Sequence, residues 1–261
     1  MNNSLITHLA EELDSHLKSR TTLATITSQH PDLTIEDAYE IQKQGVLLRE
    51  LRGEKIVGYK MGLTSVAKQQ QMNITAPISG VLTDKMQVQN DREILLKNYI
   101  QPKAEMEIAF ITNMDLRGNV SAEEVLHACG GVCAAIEIID SRFIDFKFKL
   151  IDVIADNCSA SGFVLGTIIK PDTIQFDNLD MNFSVNDTVI EHGNSHSVSG
   201  NPINSLVMLI KHLDKEGSYL KAGSIVLTGT PTNAITLKSG QHLVNNTGKI
   251  GKVSLRVTSG E

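Results

Sequence analysis

The chain has 261 residues, a net charge of −6 and 41% hydrophobic residues, with 4% aromatic and no Trp. That is enough apolar material for one sizeable core. With no basic run and few rings to stack on bases, neither nucleic acid nor an anionic membrane is the expected partner.

No apolar run reaches the length of a membrane span. The opening "MNNSLITHLAEELDSHLKSR" is acidic and amphipathic, unlike a signal sequence. Cys129, Cys133 and Cys158 make an odd count with no framework, so reduced thiols in a cytoplasmic protein are expected.

Residues 1–55 read as a helical region. Leu5, Leu9, Leu13 and Leu17 recur every four residues. Thr34 with Asp37 is a capping pair for a second helix, which carries Ile35, Ala38, Ile41, Leu48 and Leu51 on one stripe and ends at Gly53. From 56 to 261 the pattern turns to short strands. "KIVGYKMG" is the first, "LTSVAKQQQMN" a short helical piece, and "REILLKNYI" and "EMEIAFIT" two more strands.

Ser121 with Glu124 opens a helix over "AEEVLHACGG", and "AAIEIID" reads as a buried strand. "DVIADNCSAS" is expected to be a loop. Beyond it, "GFVLGTII", "LDMNFSV", "TVIEHG", "SIVLTGT", "QHLVNN" and "KVSLRVT" are strand candidates, and a helix beginning at Asn201–Pro202 and stopped by Gly217 interrupts them. The order is not a regular βαβ alternation. It predicts an α+β fold with a β-rich core, one compact unit with the helical region attached.

The chemistry concentrates in "AEMEIAF". Strand alternation points Glu105 and Glu107 to one face, and like charges on one face repel unless something lies between them. A solvated strand face is the ordinary explanation. Glu137 fits that explanation badly, because its strand is almost wholly apolar and a buried carboxylate must be paired or coordinate a metal. Lys103 and Arg142 are near enough in sequence for an ion-pair network. Three convergent carboxylates without a dedicated His or Cys also suit a hard cation such as Mg2+ or Mn2+.

Lys60, between two glycines in "VGYKMGLTS", is a candidate for holding an anion or moving a proton; the alternative is an ordinary surface lysine. In "LTGTP", Thr228 and Gly229 could contact a carboxylate, or simply end a strand. His127, Cys129 and Cys133 lack the second ligand pair of a zinc site, so the cysteines read as buried small hydrophobes. "HGNSH" and "GKIGK" carry no metal or phosphate motif.

In this order, "GYKMGLTS", "PKAEMEIAF", "AAIEIIDSRF", "DVIADNCSASGFVLG" and "LTG" resemble the hydratase/decarboxylase group of the fumarylacetoacetate-hydrolase-like superfamily. The resemblance runs from "AYEIQ" to the last strands. It implies an N-terminal helical part and a mixed β-roll core. It implies that Glu105, Glu107 and Glu137 bind Mg2+ or Mn2+, and that Lys60 and Ser159 face the substrate, with Leu63, Ile78, Thr228 and Gly229 as further substrate contacts.

Members of the group decarboxylate 4-oxalocrotonate or hydrate 2-hydroxypenta-2,4-dienoate in the degradation of aromatic compounds. The implied substrate is a small 2-oxo acid. Homo-oligomers are usual in the group, and a partner hydratase or decarboxylase is a further implied associate.

One departure matters. Hydratases of the group carry an acid in a pattern like P-D-F-G, where this chain has Pro77–Ile78–Ser79–Gly80. That favours decarboxylation over hydration, unless Asp84 or Asp156 replaces the missing acid. A non-catalytic scaffold subunit, and a hydrolase or isomerase of the wider superfamily, are the remaining readings.

Overall fold

The computed structural model describes residues 3–65, 69–70 and 77–260. The expected short helical piece at "LTSVAKQQQMN" lies largely outside the described residues.

The chain opens with α1 (Asn3–Ser19), α2 (Ile26–Gln29) and α3 (Ile35–Leu51). Thr34 and Asp37 form the expected capping box at the start of α3. There follow β1 (Ile56–Gly62), β2 (Ile78–Thr83), β3 (Gln87–Val88), β4 (Glu93–Leu95) and β5 (Lys103–Thr112). Next come α4 (Ala122–His127), β6 (Cys129–Ile139), α5 (Leu150–Ala155) and β7 (Ala160–Leu165). The remainder is β8 (Asp180–Val185), β9 (Thr188–Asn194), α6 (Pro202–Lys215), β10 (Ile225–Leu227), β11 (Ile235–Thr236), β12 (His242–Asn246) and β13 (Lys252–Thr258).

Two sheets form a mixed α+β fold. The larger runs β2-β1-β10-β5-β6-β7-β3, with β11 added on β5; the smaller runs β4-β13-β12-β8-β9. In the larger sheet β1 and β10 are parallel, whereas β5 is antiparallel to both β10 and β6.

The larger sheet curls. β1 and β6 are three strand positions apart in it, about 14 Å in a flat sheet. Yet Lys60 on β1 and Glu137 on β6 bring charged atoms to 3.0 Å of each other. The concave face so formed has an apolar floor that includes Leu82, Ala109, Cys133, Ala135, Phe163 and Leu227. The polar residues of the same face stand at its open end.

The second sheet and α6 cover the other face, which holds the main core around Phe110, Ile136, Phe183 and Leu206. Asn245 on β12 ties the layers together by donating to the Glu107 and Ala135 carbonyls at 3.0 and 2.8 Å. A separate cluster joins the N-terminal helices, through Leu9, Ile26 and Ile41, to Ile78, Phe143, Ile154 and Cys158.

Three local expectations are corrected. "DVIADNCSAS" is not a loop: α5 occupies its first half, because the Asp152 carboxylate accepts from the Lys149 N–H and from the Thr27 N–H and hydroxyl. The helix at "AEEVLHACGG" stops at His127, and Cys129 already belongs to β6, where Asn113 N–H bonds to the Ala128 carbonyl. The strand at "REILLKNYI" covers only Glu93–Leu95 before a tight turn.

Candidate active site

Residues on four neighbouring elements meet at the open end of the concave face. Glu105 and Glu107 project from β5, and Glu137 from β6 directly opposite Glu105 in register. One carboxylate oxygen from each lies within 4.8 Å of those of the other two. Glu107 and Glu137 are fully buried, whereas Glu105 is half-buried.

Those buried charges have too few donors. Glu107 Oε2 accepts from the Gly229 N–H at 2.7 Å. Glu107 Oε1 and Glu137 Oε1 have no hydrogen-bond donor among the described residues, and Glu137 Oε2 faces the Lys60 ammonium at 3.0 Å. Burial, and then the neighbouring Glu137 charge, push the Glu107 carboxyl well above the usual range. Burial also pushes Glu137 up, and Lys60 offsets only part of the shift. Buried carboxylate oxygens that lack donors are costly in a protein alone and fit a hard divalent cation, which takes oxygen ligands.

Lys60 is no surface lysine. It is 3% exposed, and its ammonium donates to the Cys158 carbonyl at 3.3 Å beside the Glu137 contact. Burial alone would favour the neutral amine, but Glu137, and then Glu105, outweigh it and hold Lys60 protonated.

A cavity of about 160 Å³ opens over these groups. Its lining includes Lys60, Leu63, Ile78, Glu105, Ser159 and Gly229. The sequence did not single out Thr64, Ile139, Phe146, Phe148 or Val153, which line it too, and Thr230 of "LTGTP" joins them. Ser159 Oγ is buried there with no partner among the described residues.

One expected contact is assigned otherwise. The Thr228 hydroxyl turns to the Ile108 carbonyl at 2.9 Å, and Thr230 lines the cavity instead. Gly229 lines the cavity as expected, while its N–H donates to Glu107 Oε2. Strand alternation at the end of β10 was the available signal, since Leu227 already points to the concave face. Gly229 itself is required: its φ is +104°, and a Cβ would lie 2.2 Å from Thr64 Oγ1.

Neither reserve acid is free. The Asp156 carboxylate accepts from the backbone N–H and the guanidinium of Arg142, and Asp84 accepts from the Lys55 N–H at 2.9 Å. Cys129 and Cys133 behave as buried small hydrophobes, their thiols pushed up to about 12 by burial.

A family model described as the C-terminal part of fumarylacetoacetate (FAA) hydrolase matches residues 55–258. The chain belongs to the FAA hydrolase family. Within that family it is 40% identical to a 4-oxalocrotonate decarboxylase of Pseudomonas sp. over 97% of this chain and 98% of that one. It is 35% identical to a 2-hydroxyhexa-2,4-dienoate hydratase of Comamonas testosteroni, over 95% and 96%. The structure of 4-oxalocrotonate decarboxylase from Pseudomonas putida G7, complexed with magnesium and adipate, superimposes with a TM-score of 0.96 at 33% identity, covering 98% of each chain. The FAA hydrolase fold thus brings the three glutamates together with Lys60, and of these Glu105 and Lys60 line the cavity. Among the described residues no helix is long and apolar enough to cross a membrane.

Proposed function

We propose that this chain is a metal-dependent lyase that releases CO2 from a 4-oxalocrotonate-like 2-oxo-enedioate. The observation that carries the reading is the cavity itself. Glu105 and the protonated Lys60 line it, the buried Glu107 and Glu137 carboxylates converge on Glu105, and much of the remaining wall is apolar, with Ile78 where a hydratase-type acid is expected. Decarboxylation needs an electron sink and one proton, and this cavity supplies one charged donor.

Glu105, Glu107 and Glu137 would hold Mg2+ or Mn2+, which when bound supplies Lewis acidity toward the carboxylate and 2-oxo oxygens of the substrate. The likeness to a decarboxylase complexed with magnesium supports that choice of cation. Loss of the distal carboxylate as CO2 leaves its electron pair to spread through the alkene to the 2-oxo oxygen as a dienolate. Lys60 delivers one proton to it, giving the hydroxydienoate. Ile78, Ile139, Phe146, Phe148 and Val153 limit water at the departing carboxylate, which disfavours its charged ground state.

Hydration of a 2-hydroxydienoate is the second reading. The observation favouring it is the unpartnered Ser159 hydroxyl, which could orient a water. The two are separated by product analysis with the 2-oxo-3-enedioate and with 2-hydroxypentadienoate, each with Mg2+ and with chelator. Metal-dependent CO2 release is expected. Efficient hydration without CO2 release overturns the decarboxylase reading.

Two coarser assignments complete it. Residues 1–55 and 56–261 form one folding unit. The chain also assembles with copies of itself, which the exposed Val189 and Ile190 on the edge strand β9 support and size measurement in solution tests. Association with a partner hydratase, implied by the sequence resemblance, is tested by co-purification of the two.

A further inference from the structure

Asn157, Cys158 and Ser159 follow α5 with φ of 50°, 51° and 59°. Three successive L-residues in the left-handed region are unfavourable by about 1–2 kcal/mol each, so the surroundings must hold this turn. Its output is catalytic. The Cys158 carbonyl receives the Lys60 ammonium, and Ser159 puts its hydroxyl into the cavity.

Two side-chain amides hold the turn against β2. Asn157 Oδ1 accepts from the Val81 N–H at 2.7 Å, and its Nδ2 donates to the Val81 carbonyl at 2.9 Å. Gly80 lets the two backbones approach, since a Cβ there would lie 2.6 Å from the Asn157 carbonyl oxygen. The second amide comes from outside the sheet. Gln42 is buried on α3, and its Nε2 donates to the Ser79 carbonyl at 3.0 Å and to the Ile154 carbonyl at 2.9 Å. The same nitrogen lies 4.0 Å from Cys158 Sγ.

Gln42 therefore fixes the distance between the cavity wall of β2 and the last turn of α5, the two supports from which the left-handed turn hangs. It lies outside the residues matched to the family model. We infer that Gln42 is a positioning residue for Lys60 and Ser159, which it reaches from α3 through this one amide. The inference rests on the assignment of Lys60 to the reaction.

The test uses the full chain with Mg2+ and the 2-oxo-enedioate. Gln42→Met keeps volume and removes both donors. Turnover is expected to fall about 10- to 100-fold, with KM and Mg2+ affinity within about threefold, because misplacement acts on the reacting geometry. Ile41→Val, at a buried neighbour on α3, lowers the melting temperature without lowering turnover.

The deciding measurement is the coupling. If Gln42 acts through Lys60, Gln42→Met adds little once Lys60→Ala is present. Asn157→Asp, which removes one donor from the other side of the turn, should show the same coupling and decides the matter if Gln42→Met does not fold. A large Lys60→Ala effect with an additive second effect overturns the inference alone. So does a parallel fall in turnover, Mg2+ affinity and melting temperature. Normal turnover in Lys60→Ala overturns the functional reading and this inference together.

Discussion

Glu107 and Glu137 are carboxylates buried in a site that supplies too few donors for their charge. Their folded pKa values are raised above the ordinary 4.5. For a raised carboxyl, the stability it contributes is full below the unfolded pKa and is lost as pH rises through the folded value. The metal-free protein is therefore expected to lose stability from these groups on going from acid to neutral pH. A bound cation favours the charged form, so the rise in melting temperature on adding Mg2+ should be larger at about pH 8 than at about pH 5.5. An equal rise at both would remove these groups as ligands. Glu107→Gln keeps an acceptor for the Gly229 N–H but no charge. It should melt above the metal-free wild type at neutral pH, by an amount worth about 1–2 kcal/mol, and should no longer respond to Mg2+. Ile78 acts on the choice of reaction. Ile78→Asp restores an acid at the cavity wall, so CO2 release should fall and hydration of the dienol should rise; unchanged partition would show that this wall does not set it.

The elements that were legible in the sequence are those built by local chemistry. Thr34 with Asp37 and Ser121 with Glu124 both form capping boxes where expected, because a cap needs only residues three apart. The alternation that put Glu105 and Glu107 on one face of β5 was readable for the same reason. α5 was not: besides the local Lys149 N–H, its Asp152 carboxylate depends on Thr27, far away in sequence. Phe146 and Phe148 were missed as cavity residues for a similar reason: they lie in an irregular segment with no period to read. Gly80 belongs to this scale too. It stands in β2 without a positive φ, and its use is the close approach of the Asn157 carbonyl. Gly80→Ala should therefore destabilise the protein by about 1–3 kcal/mol through forced backbone movement. It should also lower turnover, as read from denaturant unfolding alongside product formation. A stable variant with full turnover would show that the left-handed turn tolerates a shift.

At the scale of the molecule, what sequence patterns could not supply was closure. Three glutamates on two strands and a lysine on a third become one site only because the sheet curls enough to bring Lys60 and Glu137 to 3.0 Å. Curl follows from what packs on each face, and here the N-terminal helices contribute. Leu9, Ile26 and Ile41 share a cluster with Ile78, Phe143, Ile154 and Cys158, the residues that border the cavity and its supporting turn. Removing residues 1–55 would expose that cluster and take away the Gln42 amide that spans β2 and α5. Uncovering several fully buried aliphatic side chains is worth about 1.5–3 kcal/mol each. That sum is comparable with the whole stability of a domain. The fragment 56–261 is thus expected to be insoluble, or to lack a cooperative unfolding transition, although it spans the residues of the family match. If it instead unfolds cooperatively and binds Mg2+ with the affinity of the full chain, the two regions are separate folding units, and the helices contribute neither to the core nor to the site.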